Sequence, residues 1–319
     1  MSSHVLRFAY FGLPLGALAL VRAGFTPHVV VLGRTQAPGT RRLQRLLAAR
    51  ATIFMCPAPD DPRIEAALRA HGIEAILSWF YPKQIPASLL RCASRGAFGA
   101  HPSLLPRWRG PDPTFWAIYA GDSETGVSLH RLAADYDTGA VVAQARLPIA
   151  PGEHALSLAR RLDRPGLALM LACATRLAAG ETLDGTPQDE RAATLAPAPD
   201  EDLLDIDWQR PAAEVVRLVR AAAPFPGASA ELGDELVDVI EATVSPLSLP
   251  RALEPADAVW TPTGLVVRAG DAGVCVTRVR RVDGSLLRGQ ELSVLFGNGI
   301  AKIGFEKAEP TCPSGKTVR

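Results

Sequence analysis

The stretch that decides the fold is VLRFAYFGLPLGALALVRAGFTPHVVVL, residues 5–32. An apolar run at residues 5–11 is followed by a Gly/Pro turn, an apolar helix to about Arg22, and a second apolar run at residues 28–32. A buried strand, a turn, a helix and a second buried strand form a βαβ unit, whose two strands are parallel. The sequence therefore predicts an α/β domain with a mostly parallel, Rossmann-like sheet covered by helices.

The same alternation continues toward the carboxyl terminus. Further strands are predicted at residues 52–55, 75–79, 96–100 and 126–132, and helices at residues 62–70, 85–92, 113–120 and 155–178. The first turn is not G-x-G-x-x-G, so it gives little support to a nicotinamide-binding function.

The composition changes near residue 190, where a segment rich in proline and acidic residues begins. We interpret residues 1–190 as the first domain and residues 191–211 as a linker. A helix at residues 212–222 and short strands separated by Gly/Asp turns then predict a small β-rich domain, similar to an open OB-like barrel, at residues 212–305. Residues 306–319 carry proline, glycine and charge, and are expected to form a flexible tail.

Composition excludes several classes of protein. The 319 residues contain 34 Lys+Arg against 33 Asp+Glu, a balance that argues against an obligate nucleic-acid packer. The five cysteines are scattered without C-x-x-C, and the six histidines form no ligand pair, so neither a disulfide framework nor a metal site is predicted. The first apolar run ends at Arg22, short of a membrane span, and no signal-peptide pattern precedes it. We expect a cytoplasmic protein with no membrane partner.

The overall neutrality conceals a basic stretch. Residues 34–59 contain five arginines and no acidic residue. These arginines could contact RNA phosphates, or they could be the exposed face of a short helix. The sequence leaves both interpretations open.

The chemistry-bearing residues are concentrated at residues 96–140. His101 ends a predicted strand, and ligands of open α/β sheets bind beyond the carboxyl ends of strands. A loop follows with Ser103, Leu104, Leu105, Pro106, Arg107, Trp108, Arg109 and Gly110, and Asp137-Thr138-Gly139 comes after the next strand. His130 lies outside these groups and is expected to be structural or solvated.

This segment resembles the 10-formyltetrahydrofolate-dependent formyltransferases, the family of methionyl-tRNA and amino-sugar-nucleotide formyltransferases. Their pattern is Asn-x-His, Ser-Leu-Leu-Pro, Arg-Gly and Asp-x-Gly, and it is matched here from His101 to Gly139. Residues 11–12 (FG), 204–208 (LDIDW, similar to a strand after the linker) and 221–227 (AAAPFPG) extend the resemblance over the chain to about residue 300.

The resemblance implies a function and roles. A formyl group would move from 10-formyltetrahydrofolate to a primary amine, with methionyl-tRNA as the leading acceptor and a nucleotide-linked amino sugar as the alternative. It implies catalysis by His101 and Asp137, with His101 stabilising the oxyanion and Asp137 orienting it and relaying protons. The implied folate-binding residues are Trp79, Phe80, Tyr81, Ser103, Leu104, Leu105 and Pro106. The candidate acceptor-binding residues are Arg107, Trp108, Arg109 and Gly110; alternatively, the two arginines brace the loop against Asp112 and Trp108 is a packing residue. The basic stretch lies where methionyl-tRNA formyltransferases carry a tRNA-binding loop.

One position departs from the family pattern. The Asn of the Asn-x-His motif is replaced by Gly99. Loss of one preorganised hydrogen-bond donor typically lowers the rate by about 10²–10³. We expect Gly99 to leave open space, and a folate-binding homologue with impaired or hydrolytic chemistry is therefore the alternative from another class.

Overall fold

The computed structural model describes residues 5–233, 235–261 and 264–296, which pack as two compact units. The first unit contains the described residues up to Pro113 together with Glu124–Pro148 and Ala159–Pro197. The second contains Thr114–Ser123, Ile149–Leu158 and the described residues from Ala198 onward. The predicted tail at residues 306–319 lies outside the described residues, as do residues 297–305 of the predicted C-terminal domain.

Strands and helices alternate through the first part of the chain. In order they are β1 (Phe8–Gly12), α1 (Pro14–Arg22), β2 (Val29–Leu32), α2 (Thr40–Leu47), β3 (Thr52–Met55), α3 (Pro62–Ala70), β4 (Ala75–Trp79), α4 (Ala87–Leu90), β5 (Ala97–His101), α5 (Pro113–Tyr119), β6 (Glu124–Arg131), β7 (Val141–Pro148) and α6 (Ala155–Ala178). The first seven strands form one sheet in the order β3-β2-β1-β4-β5-β6-β7. β1 to β5 are parallel, whereas β6 is antiparallel to both β5 and β7. The predicted mostly parallel Rossmann-like sheet is confirmed.

Both faces of this sheet are buried. Side chains alternate along a strand, so Phe8 and Tyr10 of β1 join one hydrophobic cluster while Ala9 and Phe11 join another on the opposite face. All four are at most 1% exposed. Burial on both sides explains why the parallel strands read as continuous apolar runs and could be predicted from the sequence.

Three of the described strands were not predicted from the sequence: β7 in this sheet, and Ala258–Thr261 and Leu286–Arg288 in the second unit. β7 lies at the edge of the sheet, pairs only with β6 there, and alternates half-buried with exposed residues, including Gln144 and Arg146. Because it is not fully buried, its sequence lacks a continuous apolar run. The helix predicted at residues 85–92 is shorter, Ala87–Leu90, because prolines and turns limit it.

The second unit is β-rich, as predicted. Its elements are α7 (Glu201–Leu204), α8 (Ala212–Ala222), β8 (Ala228–Leu232), β9 (Glu235–Val244), β10 (Ala258–Thr261), β11 (Gly264–Arg268), β12 (Gly273–Arg281) and β13 (Leu286–Arg288). An antiparallel sheet has the order β10-β11-β12-β9-β8, and β13 pairs with β12. α8 buries Val215, Val216 and Val219 and packs against β9.

The segment predicted as a linker contains local structure. Asp200 caps the single-turn helix α7, since its carboxylate accepts a hydrogen bond from the Leu203 N–H at 2.9 Å. The strand expected at residues 204–208 is reduced to one isolated bridge between Asp205 and Ser229. Short polar side chains that cap a helix compete with strand formation, which accounts for the difference.

Within the described part of the chain, the helices are all too short or too polar to cross a bilayer.

Candidate active site

A cavity of about 780 Å³ opens at the carboxyl ends of β4 and β5. Its walls come from Ser78 of β4 and residues 80–85 after it, and from Gly99 to Pro102 at the end of β5. The loop after β5 contributes residues 110–113, β6 contributes His130, and the loop after β6 contributes residues 132–133 and 135–137. Arg34 and Leu13 complete it from the loops after β2 and β1. This is the edge of the sheet at which ligands of open α/β proteins bind.

His101 and Asp137 meet at this cavity, as their sequence positions suggested. The His101 Nδ1 atom lies 3.4 Å from Asp137 Oδ2, and the Gly110 N–H donates to that same oxygen at 3.0 Å. On the other side of the ring, His101 Nε2 donates to the Trp108 carbonyl at 2.8 Å. Because a carbonyl can only accept, Nε2 carries a hydrogen, while Nδ1 faces the Asp137 carboxylate.

Asp137 does not reach the cavity by the route that the sequence suggested. β6 is antiparallel to β5, so the end of β6 does not coincide with the end of β5. A loop closed by the Arg131 N–H and the Ala140 carbonyl (2.9 Å) carries Asp137 in a left-handed conformation, φ +58°. Gly139 is required here, because a Cβ would lie 1.8 Å from the Arg131 carbonyl oxygen. The loop presents the carboxylate to His101.

His130, expected to be structural or solvated, lies in the site. It pairs in register with Gly99 across β5 and β6 and lines the cavity. Its Nε2 atom is 3.5 Å from Asp137 Oδ1, and its Nδ1 atom donates to the Arg131 carbonyl at 2.9 Å. The pairing of β6 with β5 brings it there, and the sequence pattern does not specify this register. The only signal in the sequence is its place on the strand before Asp137.

Burial controls the charge of His130. Its side chain is 3% exposed, and desolvation lowers the pKa of His130 to about 4, against an opposing effect of the Asp137 carboxylate. The nearby His101 and Arg109 also lower this pKa. Since Nδ1 carries the hydrogen that bonds the Arg131 carbonyl, the neutral ring has a free lone pair on Nε2.

The space expected beside Gly99 is occupied. A Cβ built at Gly99 would lie 2.8 Å from Leu132 Cδ2 and 3.4 Å from His130 Nε2. Side chains from β6 and the following loop fill the volume because β6 pairs directly against β5. The expectation of open space at this position was wrong.

Arg109 does not line the cavity. It belongs to a hydrogen-bonded group of three side chains, Arg109, Gln188 and Glu190, which we call the Gln188 brace. Its buried guanidinium donates to Gln188 Oε1 at 2.8 and 3.0 Å and to both carboxylate oxygens of Glu190 at 2.8 Å. The hydrogen bond with Glu190 raises the pKa of Arg109. Gln188 Nε2 in turn donates to the carbonyls of Asp137 (2.7 Å) and Gly139 (2.8 Å). The brace thus fixes the backbone that carries the Asp137 carboxylate.

The Ser-Leu-Leu-Pro loop is held by buried hydrogen bonds. Ser103 is fully buried and donates to the Arg107 carbonyl at 2.6 Å. Ser128 of β6 donates to the Ser103 carbonyl at 2.7 Å and accepts from the Leu105 N–H at 2.9 Å. Ser103, Leu104, Leu105 and Pro106 shape the loop behind His101 and do not line the cavity.

The aromatic candidates divide between core and cavity. Phe80 and Tyr81 line the cavity, whereas Trp79 is 3% exposed and belongs to the core cluster. Arg107 stacks on Trp108, with its Cζ atom 4.3 Å from the ring centroid, and both lie outside the cavity lining. Of the four predicted acceptor-binding residues, Gly110 alone lines the cavity.

Metal ligands were not predicted for this site. Across the residues that the structure describes, no group of three or more His, Cys, Asp and Glu side chains is placed to hold a metal ion.

A folded α/β unit with this cavity, joined in sequence to a β-rich unit, matches two family models. Residues 29–173 match the formyl transferase family, and residues 201–293 match the formyl transferase C-terminal domain. The chain belongs to the formyl transferase family, whose members are enzymes that transfer a formyl group.

Close relatives match over nearly the whole chain. Methionyl-tRNA formyltransferase from Pseudomonas fluorescens is 33% identical over 299 residues, covering 90% of this chain and 93% of the relative. The Paraburkholderia phymatum enzyme of the same name is 32% identical over 330 residues, covering 97% and 99%.

Solved structures share the fold at lower identity. HypX from Aquifex aeolicus, in complex with tetrahydrofolic acid, has a TM-score of 0.62 at 19% identity, covering 96% of this chain and 50% of that protein. An N-formyltransferase from Helicobacter canadensis, in complex with folinic acid and dTDP-3-aminofucose, has a TM-score of 0.65 at 14% identity, covering 84% and 97%.

The brace gives a prediction for Gln188→Glu. The variant can still accept from Arg109, but it loses the amide N–H groups that serve the Asp137 and Gly139 carbonyls and places a carboxylate against them. We expect the free energy of unfolding to fall by about 1–3 kcal/mol in urea denaturation. Gln44→Glu, the same change at an exposed position on α2, is the control and is expected to stay within about 0.5 kcal/mol of wild type. If Gln188→Glu and Gln44→Glu lower the free energy of unfolding equally, the proposed role of Gln188 in holding the Asp137 loop is wrong.

The buried neutral His130 gives a prediction for acid stability. Its pKa is about 4 in the folded protein and about 6.5 when unfolded, so its contribution is fully present above pH 6.5 and is lost as the pH falls through 4. Between pH 7 and pH 4 the free energy of unfolding of wild type should fall by up to about 3 kcal/mol more than that of His130→Asn. Urea denaturation across this range measures the difference; parallel pH profiles would show that His130 is not buried as the neutral ring.

Proposed function

We propose that this protein transfers the formyl group of 10-formyltetrahydrofolate to a primary amine, with the amino group of methionyl-tRNA as the acceptor. The observation that carries the proposal is the His101–Asp137 pair, held at the cavity by Gly110 and by the Gln188 brace. The relatives that match over both family domains bear the name methionyl-tRNA formyltransferase, which supports this acceptor.

The cavity suits a folate-sized donor. Its volume of about 780 Å³ falls within the range of roughly 300–1,000 Å³ typical of small-molecule sites. Phe80 and Tyr81 offer aromatic surface for a flat heterocycle, and Arg34 and Lys83 offer positive charge for the carboxylates of a folate. Trp79 supports this wall from the core, and residues 103–106 set the position of the loop behind His101.

The reaction needs a neutral amine, a stabilised oxyanion and a proton for the departing folate nitrogen. Attack of the amine forms a C–N bond and moves the carbonyl electron pair onto oxygen. In our proposal, the His101 ring, paired with Asp137, stabilises that oxyanion as it develops. Asp137 holds the ring in this orientation and relays the proton that the amine nitrogen releases to the folate nitrogen, as the bond between that nitrogen and the formyl carbon breaks.

The acceptor would approach along the first domain, at residues 1–190, which we propose carries the chemistry. We propose further that residues 191–211 link it to the OB-like domain at residues 212–305. Three arginines of α2, Arg41, Arg42 and Arg45, are exposed along the helix and are available to phosphates. Arg107 and Trp108 lie on the outer side of the His101 loop, where they would meet the acceptor rather than the donor.

Two other functions make different predictions. Residues 125–132 (TGVSLHRL) look closer to formyltransferases of nucleotide-linked amino sugars, which would use a small acceptor. The absence of an amide side chain at Gly99 favours a folate-binding homologue that hydrolyses its formyl donor or does not turn it over.

A labelled-formyl assay separates these functions. Purified protein is incubated with formyl-labelled 10-formyltetrahydrofolate and either methionyl-tRNA, a nucleotide-linked amino sugar, or no acceptor. We expect label on the methionyl amino group, with rates lowered about 10²–10⁴-fold by His101→Ala and by Asp137→Asn. Asp60→Asn, an exposed carboxylate outside the cavity, is the control. Label on the sugar supports the small-acceptor function, label released as formate supports hydrolysis, and bound folate without turnover would reject the transferase.

The arginines of α2 test the nucleic-acid acceptor. We expect Arg41→Ala/Arg42→Ala/Arg45→Ala to raise KM for methionyl-tRNA at least about tenfold and to flatten its dependence on salt, because fewer phosphate contacts release fewer counterions. The control replaces Arg22, Arg91 and Arg164, which are exposed on other elements, with alanine. Donor affinity should be unchanged in both. A salt dependence equal to wild type would identify the α2 arginines as merely a solvated helix face.

A further inference from the structure

The two oxygens of the Asp137 carboxylate have different surroundings. Oδ2 receives the Gly110 N–H at 3.0 Å and faces His101 Nδ1 at 3.4 Å. Oδ1 faces His130 Nε2 at 3.5 Å. The carboxylate therefore lies between two imidazoles whose ring centroids are 6.4 Å apart and whose planes are nearly perpendicular, at 88°.

The hydrogen bonds fix which nitrogen of His130 is available. A backbone carbonyl can only accept, so the contact with the Arg131 carbonyl places a hydrogen on Nδ1. Nε2 then carries either a lone pair or a second hydrogen. In the neutral ring Nε2 carries the lone pair, which can receive a proton from a donor in the cavity, and the protonated ring can then donate to Asp137 Oδ1.

Gly99 determines whether Nε2 can be reached. A Cβ built on Gly99 would lie 3.4 Å from His130 Nε2. Any side chain at position 99 would therefore begin directly beside this nitrogen. Glycine leaves Nε2 in the cavity wall next to Ala100 and His101. The strand register thus pairs the residue with no side chain, on β5, with the imidazole on β6.

We infer that His130, which lines the cavity beside Gly99, is a catalytic proton acceptor for the amine and works with Asp137. The inference rests on the proposed function. As the amine nitrogen bonds to the formyl carbon it becomes positively charged, and its N–H bond breaks with the proton moving to His130 Nε2. The proton then passes through Asp137 Oδ1 to the folate nitrogen as the bond from that nitrogen to the formyl carbon breaks and the carbonyl re-forms. The products are the formamide and tetrahydrofolate, with no net proton taken up or released.

The charged groups around His130 suit this cycle. Asp137 faces it from the loop after β6, His101 from the end of β5, and Arg109 from the loop after β5. Its neighbour across the other edge of β6 is Val141 of β7, which is uncharged. Burial and the two basic groups keep the ring neutral before the acceptor arrives, and Asp137 stabilises the protonated ring once it forms.

Two substitutions separate the nitrogens of His130. His130→Asn keeps an amide N–H near the position of Nδ1, so it can retain the hydrogen bond to the Arg131 carbonyl while removing Nε2. His130→Gln extends an amide toward the position of Nε2, where it can accept a hydrogen bond but cannot carry a proton. His71→Asn, a histidine hydrogen-bonded to Thr52 and outside the cavity lining, is the matched control.

We expect both His130 variants to bind 10-formyltetrahydrofolate within about twofold of wild type and to lose about 10²–10⁴-fold in kcat, with His71→Asn unchanged. In wild type, kcat should fall at low pH because protonation of His130 removes the proton acceptor. This fall should be absent from the pH profiles of both variants. If His130→Asn keeps kcat within threefold of wild type, the inference is overturned. Full activity in His130→Gln would overturn it as well, because hydrogen bonding alone would then be sufficient.

A measurement without turnover keeps the inference separate from the proposed function. In ¹⁵N-histidine-labelled protein, the His130 ring should show a protonated Nδ1 and an unprotonated Nε2 at neutral pH, and the Nε2 signal should shift in Asp137→Asn. A protein that transfers no formyl group to any acceptor rejects the proposed function. A His130 ring protonated on Nε2 instead of Nδ1, or an Nε2 signal indifferent to Asp137→Asn, rejects the inference whatever the activity.

Discussion

The contacts of the Asp137 carboxylate connect the loops and strands that form the cavity. One oxygen of this carboxylate receives the Gly110 N–H from the loop after β5 and faces His101, and the other oxygen faces His130. Its own backbone is held in a left-handed conformation, which a non-glycine residue adopts only when the surroundings impose it. The orientation of both imidazoles therefore depends on a loop that is itself strained.

The surroundings that impose this conformation lie far away in the sequence. Gln188 binds the carbonyls of Asp137 and Gly139 and is itself held by Arg109, whose guanidinium uses its remaining donors on Glu190. The chain continues past residue 190 in contact with the same loop, because Thr194 accepts from the Arg109 N–H and Ala196 both donates to the Arg109 carbonyl and accepts from the Asp112 N–H. A truncation at residue 190 would remove these contacts, so the segment that composition marks as the start of a linker also supports the site.

Sequence patterns predicted most of the sheet for a simple physical reason. Strands buried on both faces read as unbroken apolar runs, and β2, β3 and β4 begin or end within a residue or two of the predicted bounds. The motif around His101 located the cavity and one pair of facing residues. The patterns failed where the outcome depended on pairing between distant segments: edge strand β7, the antiparallel direction of β6, and with them His130. The role of Arg109 could not be predicted for the same reason. The motif specifies an arginine at this position but does not indicate whether its side chain contacts a ligand or another loop.

The relation between Gly99 and His130 illustrates what a motif cannot represent. A motif is read along one strand, whereas a cavity wall is built from neighbouring strands in register. Beside Gly99, a side chain from β5 and the side chains of β6 and the following loop would occupy the same volume. A Cβ at Gly99 would lie 2.8 Å from Leu132 and 3.4 Å from His130. In this protein, β5 contributes no side chain at Gly99, and the polar atom of the wall at this level is His130 Nε2 from β6. A departure from the motif at one position changes which chemistry the wall offers, and its consequence follows only from the paired strand.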